Sequence, residues 1–227
     1  MKNIAVLLAA GEGRRFSTDQ PKQFAPIHSK MLIEYTLDVF QEHDQIDEII
    51  LAVQPRYIPL MQELQDEGRY SKIKAVVEGG RERYHSSLAI LDYLQSEEDC
   101  HVLIHDAVRP FITGSVISDV IRALDDYKAV VVAVPSTDTV LEVEDRIIRK
   151  IPDRSLVWNA QTPQAFHLNT IRKAFGLAVQ DPQFAVTDDS NVVFRYLPDE
   201  PIHVIKGDPT NIKITYSHDL SHFFGNR

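Results

Sequence analysis

The chain has 227 residues, 44% of them hydrophobic and 25% charged, which is typical of a globular protein with one sizeable core. Its net charge is −9, with 33 acidic against 24 basic residues, which argues against a protein that binds nucleic-acid backbones. The single cysteine, Cys100, rules out an internal disulfide and a cysteine metal cluster, and it fits a reducing cytosol. We therefore expect one domain spanning residues 1–227.

Residues 4–10 form a continuous apolar run directly after Met1-Lys2-Asn3. A signal peptide has a similar start, but this run is at the lower length limit for one and leads straight into a glycine loop. We favour a first strand that is buried on both faces of a parallel sheet, in a cytoplasmic protein. No other run approaches the ~18 apolar residues that span a membrane.

The loop after this strand combines glycine with positive charge. Glycine lets backbone N–H groups crowd round an anion, and the arginines and lysine behind the glycines supply charge for a triphosphate. For the loop by itself, the alternative is a surface turn with solvated arginines. A dinucleotide fingerprint would need glycine or alanine where Phe16 stands, which disfavours that binding mode. The predicted phosphate-binding residues are Ala9, Ala10, Gly11, Gly13, Arg15 and Lys22.

Strand and helix patterns alternate along the chain. Strands are predicted at 47–53, 73–77, 102–104 and 129–134, and helices at 31–40, 57–67, 88–94, 114–127, 167–179 and 190–196. The alternation predicts a three-layer αβα Rossmann-like sandwich with a mostly parallel sheet and right-handed crossovers. Ligands in such folds bind at the carboxyl ends of the strands.

A second glycine-rich segment, residues 78–87, follows the strand at 73–77. Its glycines offer backbone access, and Ser86 or Ser87 can cap the next helix or present a hydroxyl to a ligand. From the residues alone, capping is the favoured interpretation.

Asp106 stands at the carboxyl end of the strand at 102–104. Mg²⁺ binds through one or two carboxylates plus substrate phosphates, so Asp106 is a candidate ligand, with a turn cap as the alternative. Asp208 is the natural second carboxylate, and Lys213 beyond it is a charge for a phosphate. A general-base role for His105 is disfavoured, because phosphoryl transfer depends more on positioning and charge neutralisation than on proton removal.

Residues 139–143 and 146–151 show the alternation of a β-hairpin, with a turn at Glu144-Asp145. A two-stranded ribbon is only marginally stable by itself, so this one must pack on something. We expect residues 137–153 to form a protruding arm. Further along, Asp188 and Asp189 precede the helix at 190–196, and we interpret them as helix N-terminal residues rather than metal ligands.

Six elements in order resemble the cytidylyltransferase family that acts on methylerythritol phosphate and ribitol phosphate. The likeness covers about residues 4–220, and one departure is Ser87 and Ile90 in place of the family's valine and glycine. The elements are A-A-G-E-G-R-R-F with P-K-Q-F, G-G-R-E-R-Y-H-S, H-D-A-V-R-P, D-T with a later D-R, W-N-A-Q-T-P-Q-A-F and G-D-P-T-N-I-K-I-T.

This resemblance implies an enzyme that transfers CMP from CTP to a polyol phosphate and releases pyrophosphate. It implies that the chain pairs with a second copy by exchanging arms, that Arg83 is a structural brace, and that residues 157–166 mainly place backbone. The implied roles are catalysis for Arg15, Lys22 and Lys213, nucleotide binding for Gly80, Ser86 and Ala107, and Mg²⁺ binding for Asp106 and Asp208. Acceptor binding is implied for Arg109, Thr139 and Arg154, the last two in cis or in trans.

The acceptor and the function class each have alternatives. Within the family, 2-C-methyl-D-erythritol 4-phosphate is the commoner acceptor, whereas Val108, Phe111 and the departure at residues 87–90 look more like the ribitol 5-phosphate branch. An oxidoreductase is disfavoured, because no acid follows the strand at 47–53. A non-catalytic nucleotide-binding protein is disfavoured by the presence of two candidate metal carboxylates.

Overall fold

The computed structural model describes residues 1–12 and 20–224, with side chains described to residue 220. Within this part of the chain, no helix is both long enough and apolar enough to cross a membrane. The strands are β1 Asn3–Ala9, β2 Pro26–Ile27, β3 Lys30–Met31, β4 Glu48–Val53, β5 Ile73–Glu78, β6 His101–Asp106, β7 Ala129–Pro135, β8 Glu142–Glu144, β9 Ile147–Lys150, β10 Trp158–His167 and β11 Ile202–Lys206. The helices are α1 Leu32–Glu42, α2 Ile58–Asp66, α3 Arg83–Tyr93, α4 Gly114–Ala123, α5 Leu168–Ala178, α6 Asp189–Tyr196 and α7 Ser217–Phe224, with 3-10 turns at Lys22–Phe24, Pro55–Tyr57 and Arg154–Leu156.

Seven of the described strands form one sheet in the order β11-β7-β10-β6-β1-β4-β5. Strand β10 runs antiparallel to β6 and β7, and the other neighbouring pairs are parallel. This arrangement confirms the predicted mostly parallel α/β sandwich. In the register of β1 with β6, Leu8 pairs with Asp106, so the carboxyl ends of these two central strands lie side by side.

The side chains of β1 alternate between two hydrophobic cores, one on each face of the sheet. Ala5, Leu7 and Ala9 pack with residues of α1, α2 and α4, whereas Ile4 and Val6 pack with α3, α5 and α6. Burying an aliphatic side chain of this size contributes about 1.5–3 kcal/mol. A strand covered on both faces keeps no polar side, which is why residues 4–10 form a continuous apolar run.

Two elements differ most clearly from the sequence prediction. Helix α3 begins at Arg83, five residues before the predicted start, and the Glu82 N–H donates to Nδ1 of His85 at 3.3 Å in its first turn. Strand β10 has no counterpart among the predicted strands. Half of its ten residues are polar, and it includes Pro163, which lacks a backbone donor; such residues are unusual in a central strand.

The predicted hairpin is present as β8 and β9, and its residues are exposed. The turn falls at Asp145 and Arg146, one residue later than predicted; their φ angles of 51° and 64° are those of a type I′ turn. Val143, Ile147 and Ile148 are each more than half exposed on this arm. Its role in pairing two chains stays a prediction.

Candidate active site

A pocket of about 270 Å³ lies at the carboxyl ends of β1 and β6. Its wall is built from four other segments as well: the turn at residues 22–24, the loop between β5 and α3, the start of α3, and the segment after β11. These segments are far apart in sequence and meet only because the parallel strands end at one edge of the sheet. The predicted site residues that line the pocket are Ala9, Ala10, Gly11, Lys22, Gly80, Ser86, Asp106 and Lys213.

The described part of the glycine loop is held by side-chain amides. Nε2 of Gln23 donates to the carbonyl oxygens of Ala9 at 2.6 Å and Gly11 at 2.8 Å, and Nε2 of Gln54 donates to Ala10 O at 3.0 Å. Gln23 is buried, and its hydrogen bond to Ala9 O is shielded from water. The P-K-Q-F motif gives no indication of this role for Gln23. The role is visible only in the fold, where the Gln23 side chain is buried against the loop.

The second glycine segment packs closely against the first. A Cβ on Gly79 would lie 2.5 Å from the Ala10 Cβ and 3.0 Å from the Ser86 Oγ, and a Cβ on Gly80 would overlap the His85 side chain. The Gly80 N–H donates to Ser86 Oγ at 3.1 Å. Ser86 therefore fixes this loop from the start of α3 and also forms part of the pocket wall.

Asp106 is surrounded by three cationic side chains. Arg83 Nη1 lies 3.2 Å from Oδ1, while Lys213 Nζ lies 2.9 Å and Arg109 Nε 3.6 Å from Oδ2. Burial acts to raise the pKa of Asp106, but Arg83, Lys213 and Arg109 outweigh it and hold that pKa well below its usual range. Asp106 is therefore ionised, and the three cations leave a surplus of positive charge beside the pocket.

The segment after β11 is tied to the end of β6, which explains how Lys213 reaches the pocket. Ile214 N donates to Val108 O at 2.9 Å, and Lys22 Nζ donates to Ile214 O at 2.5 Å. Arg109 Nη1 donates to Asn211 O at 2.9 Å. These contacts place Lys22 next to the segment that carries Lys213, and both lysines line the pocket.

Two of the predicted site residues, Asp208 and Ala107, do not line the pocket. Asp208 is outside the pocket wall, and its Oδ1 accepts hydrogen bonds from the Thr210 N–H at 2.7 Å and hydroxyl at 2.6 Å. The Ala107 carbonyl accepts from Thr36 Oγ1 at 3.0 Å. The chain does not bring Asp208 and Asp106 together in one wall, so their shared metal role stays a prediction.

The predicted acceptor residues do not meet in the pocket of one chain. Arg109 borders it through Asp106, whereas Thr139 and Arg154 are exposed and lie outside its wall. Arg154 Nη1 lies 3.4 Å from Thr137 O, beside the base of the arm. The remaining predicted residues, Gly13 and Arg15, lie outside the described residues.

His105 is fully buried under the pocket. Its Nδ1 lies 2.9 Å from Thr162 Oγ1 and its Nε2 3.2 Å from Arg109 O, so both ring nitrogens have hydrogen-bond partners. Burial lowers the pKa of His105 to about 4. The ring is therefore a neutral structural group, consistent with the sequence argument against a general base.

The donor groups of the pocket suit a metal that arrives with its substrate. Among the described residues, no three His, Cys, Asp or Glu side chains are arranged to hold an ion. Mg²⁺ does not need such a cage, since it keeps several waters and binds one or two carboxylates plus phosphates. Asp106, ionised and in the pocket wall, fits this requirement.

Closely packed glycine loops, two lysines and a buried aspartate at the ends of parallel strands suit a nucleotidyltransferase. The comparisons with known proteins give the family: the model of 2-C-methyl-D-erythritol 4-phosphate cytidylyltransferase, IspD, matches residues 3–223. The chain belongs to this family, and it is a CTP-dependent cytidylyltransferase.

Relatives of two kinds are similar to the chain. A 2-C-methyl-D-erythritol 4-phosphate cytidylyltransferase of Bifidobacterium longum is 43% identical over 96% of this chain and 77% of its own length. The bifunctional ribulose 5-phosphate reductase/CDP-ribitol pyrophosphorylase Bcs1 of Haemophilus influenzae is 40% identical, and the chain spans 47% of its length. The crystal structure of 4-diphosphocytidyl-2C-methyl-D-erythritol synthase from Anaerococcus prevotii has a TM-score of 0.85 at 31% identity, covering 99% of this chain and 94% of that one.

Proposed function

We propose that this enzyme transfers CMP from CTP to 2-C-methyl-D-erythritol 4-phosphate, with Mg²⁺ bound, and thereby serves isoprenoid biosynthesis. The observation that carries the proposal is the pocket in which Lys22, Lys213 and Asp106 face the glycine loop. Both substrates are anions, and the surplus of positive charge at this place lowers the repulsion between them.

In the proposed reaction, an oxygen of the acceptor's phosphate attacks the α-phosphorus of CTP. A new P–O bond forms there, the bond to the oxygen bridging the α- and β-phosphates breaks, and pyrophosphate leaves with that electron pair. A phosphate monoester is largely a dianion at pH 7, because its second pKa is about 6. The attacking oxygen therefore needs no general base, which agrees with the neutral, buried His105.

The residues act mainly by binding and orientation. Backbone groups of Ala9, Ala10 and Gly11 approach the phosphates, and Lys22 and Lys213 neutralise charge that develops as the leaving group departs. We assign the same charge-neutralising role to Arg15 and phosphate binding to Gly13, on the family pattern. Mg²⁺, when bound, would add Lewis-acid neutralisation of phosphate oxygens, held by Asp106 and, on that pattern, Asp208.

The nucleoside of CTP would lie against the second glycine segment. Gly79 packs against Ala10 with no space for a side chain, and this close packing holds Gly80 and Ser86 in the pocket wall. Ala107 follows Asp106 directly and completes the proposed set of nucleotide contacts.

Ribitol 5-phosphate is the second candidate acceptor, giving CDP-ribitol. Val108 and Phe111 are among the residues that look like the ribitol branch, and they favour this acceptor. Val108 is buried in the pocket wall, and Phe111 packs on the hydrophobic cluster that contains Val108. The relative from Haemophilus influenzae carries CDP-ribitol in its name. Both acceptors have five carbons, but ribitol 5-phosphate has a main chain one carbon longer and lacks the methyl branch; a change of one methyl or methylene group is worth only about 1–3 kcal/mol in a pocket.

We also propose a cytoplasmic homodimer of one-domain chains. The exposed apolar arm supports it, since Ile147 and Ile148 would be covered by a second copy, and Thr139 and Arg154 would then reach the partner's acceptor site together with Arg109. Sedimentation should show a dimer, and Ile147→Glu should dissociate it. A monomeric wild-type protein would contradict this proposal.

The test of the activity is pyrophosphate release from CTP and Mg²⁺ with each acceptor in parallel. Release with methylerythritol phosphate is the expected result, and release with ribitol phosphate alone would move the enzyme to the second candidate. CTP binding without release in either reaction would favour a non-catalytic nucleotide-binding protein.

A further inference from the structure

Asp189 lies directly behind the pocket and is 1% exposed. Its Oδ1 accepts a hydrogen bond of 2.5 Å from Ser87 Oγ, and its Oδ2 lies 2.8 Å from Arg83 Nη2. Capping does not explain its position, since the neighbouring Asp188 accepts from Asn191 N at 2.9 Å and caps α6. Asp189 is a second acid at this helix start, turned inward.

Arg83 connects Asp189 to the site. One end of its guanidinium, Nη2, faces Asp189, and the other, Nη1, lies 3.2 Å from Oδ1 of Asp106. Among the described residues, Arg83 Nη2 and Asp189 Oδ2 have no hydrogen-bond partner, so the ion pair is their compensating contact. A chain of contacts thus runs from Ser87 through Asp189 and Arg83 to Asp106.

The charges of this chain of contacts depend on one another. Burial acts to lower the pKa of Arg83, but Asp189 and Asp106 more than offset it and raise that pKa above its ordinary value. Burial raises the pKa of Asp189, against the opposing Arg83 charge and Ser87 hydroxyl. Removing one partner of such a buried pair leaves the other uncompensated, so the pair holds its geometry firmly.

We propose that Asp189 is a positioning residue of the transfer reaction: it fixes the Arg83 guanidinium, which in turn fixes the orientation of the Asp106 carboxylate in the pocket. A guanidinium is a rigid planar fork, so anchoring one edge determines where the other edge points. Asp189 also balances the Arg83 charge, which leaves Lys22 and Lys213 as the cations for the phosphates. The inference rests on the proposed function and extends it to a residue outside the pocket wall.

The test compares Asp189→Asn with Asp188→Asn in the pyrophosphate assay. Asn at residue 189 keeps the shape and can still accept from Ser87, but it carries no charge to hold Arg83. Loss of such a supporting partner typically costs about 10- to 100-fold in activity, so kcat should fall by that factor. The KM for CTP should stay within about threefold, because the glycine loop is untouched. Asp188→Asn, the same change one residue away, keeps a good helix cap and should leave kcat within about twofold.

A second variant covers the case in which Asp189→Asn does not fold. Ser87→Ala removes one hydrogen bond to Asp189 and leaves both carboxylates and Arg83 in place; kcat should fall by about threefold to tenfold, again with little change in KM. Unchanged kcat in a folded Asp189→Asn, or in Ser87→Ala if that first variant fails, would overturn the positioning role, as would equal losses at residues 188 and 189. Absence of turnover by the wild type overturns the proposed function itself, and this inference with it.

Discussion

Replacing Lys213 with alanine should nearly abolish turnover while leaving the fold intact. Lys213 Nζ lies 2.9 Å from the buried Asp106 and lines the pocket. A unit charge about 4 Å from a reacting phosphate oxygen contributes roughly 4 kcal/mol at an effective dielectric constant of about 20. Losing one preorganised donor costs about 2.7–4 kcal/mol in measured cases, so kcat should fall about 10²- to 10³-fold.

The stability cost of the same change should be small. The Lys213 side chain is 44% exposed, and Arg83 and Arg109 remain beside Asp106. A partly solvated pair of this kind contributes about 0–1 kcal/mol, which in a chain of this size shifts the melting temperature by only about 2–4 °C.

Steady-state pyrophosphate release, run beside thermal unfolding, measures both effects. Lys128→Ala is the matched control, since its ammonium lies 3.7 Å from Glu200 on the surface and is 62% exposed. The control should keep wild-type kcat. A Lys213→Ala enzyme within threefold of wild-type kcat would refute the charge-neutralising role.

Four further variants test the loops and the core. Gly79→Ala should raise the KM for CTP at least about tenfold, because its Cβ would lie 2.5 Å from a neighbouring Cβ, whereas Gly176→Ala, with open space around it, should leave KM unchanged and stabilise α5 by about 0.5–1 kcal/mol in urea unfolding. Gln23→Ala removes both hydrogen bonds from its amide to loop carbonyls, so stability should fall by about 1–3 kcal/mol and KM should rise; unaltered values of both would contradict this account of the loop. Burial, with some help from nearby His167, lowers the pKa of His101 to about 4. The unfolded histidine binds its proton near pH 6.5, so between about pH 6.5 and about pH 4.5 His101 alone should lower the free energy of unfolding by roughly 2–3 kcal/mol. Urea unfolding of His101→Gln should show a smaller loss over the same pH range.

The central part of the fold could be predicted because its strands are covered on both faces. Residues 4–10 show this most clearly, since the alternating cores of β1 leave it no polar position. The same run ends at a glycine, and Ala9, Ala10 and Gly11 of the predicted phosphate loop line the pocket. Because parallel strands end at one edge of the sheet, Asp106 at the end of β6 is then expected beside this loop.

Strand β10 could not be predicted in the same way, because its polar side chains are satisfied only by distant partners. Thr162 Oγ1 contacts His105 and the Asp106 N–H, and Gln164 Oε1 accepts from Ser190 N. In the sequence such residues favour a loop. Burying them in a sheet requires partners that only the folded chain supplies.

The two acids at the start of α6 show the same limit at the level of a site. As adjacent residues, Asp188 and Asp189 have the same pattern, and both suit a helix N-terminus. In the structure the first caps the helix, while the second is buried against Arg83 and Ser87. Nothing in the spacing distinguishes them, since the difference depends on where α3 packs.

The measurement that tests the central claim most directly is the identity of the product formed in competition. The wild-type protein would be incubated with CTP, Mg²⁺ and equal concentrations of 2-C-methyl-D-erythritol 4-phosphate and ribitol 5-phosphate, and the nucleotides analysed by mass spectrometry. We predict that CDP-methylerythritol accumulates together with pyrophosphate. CDP-ribitol as the main product would contradict the proposed acceptor, and CTP recovered unchanged would contradict the proposed activity altogether.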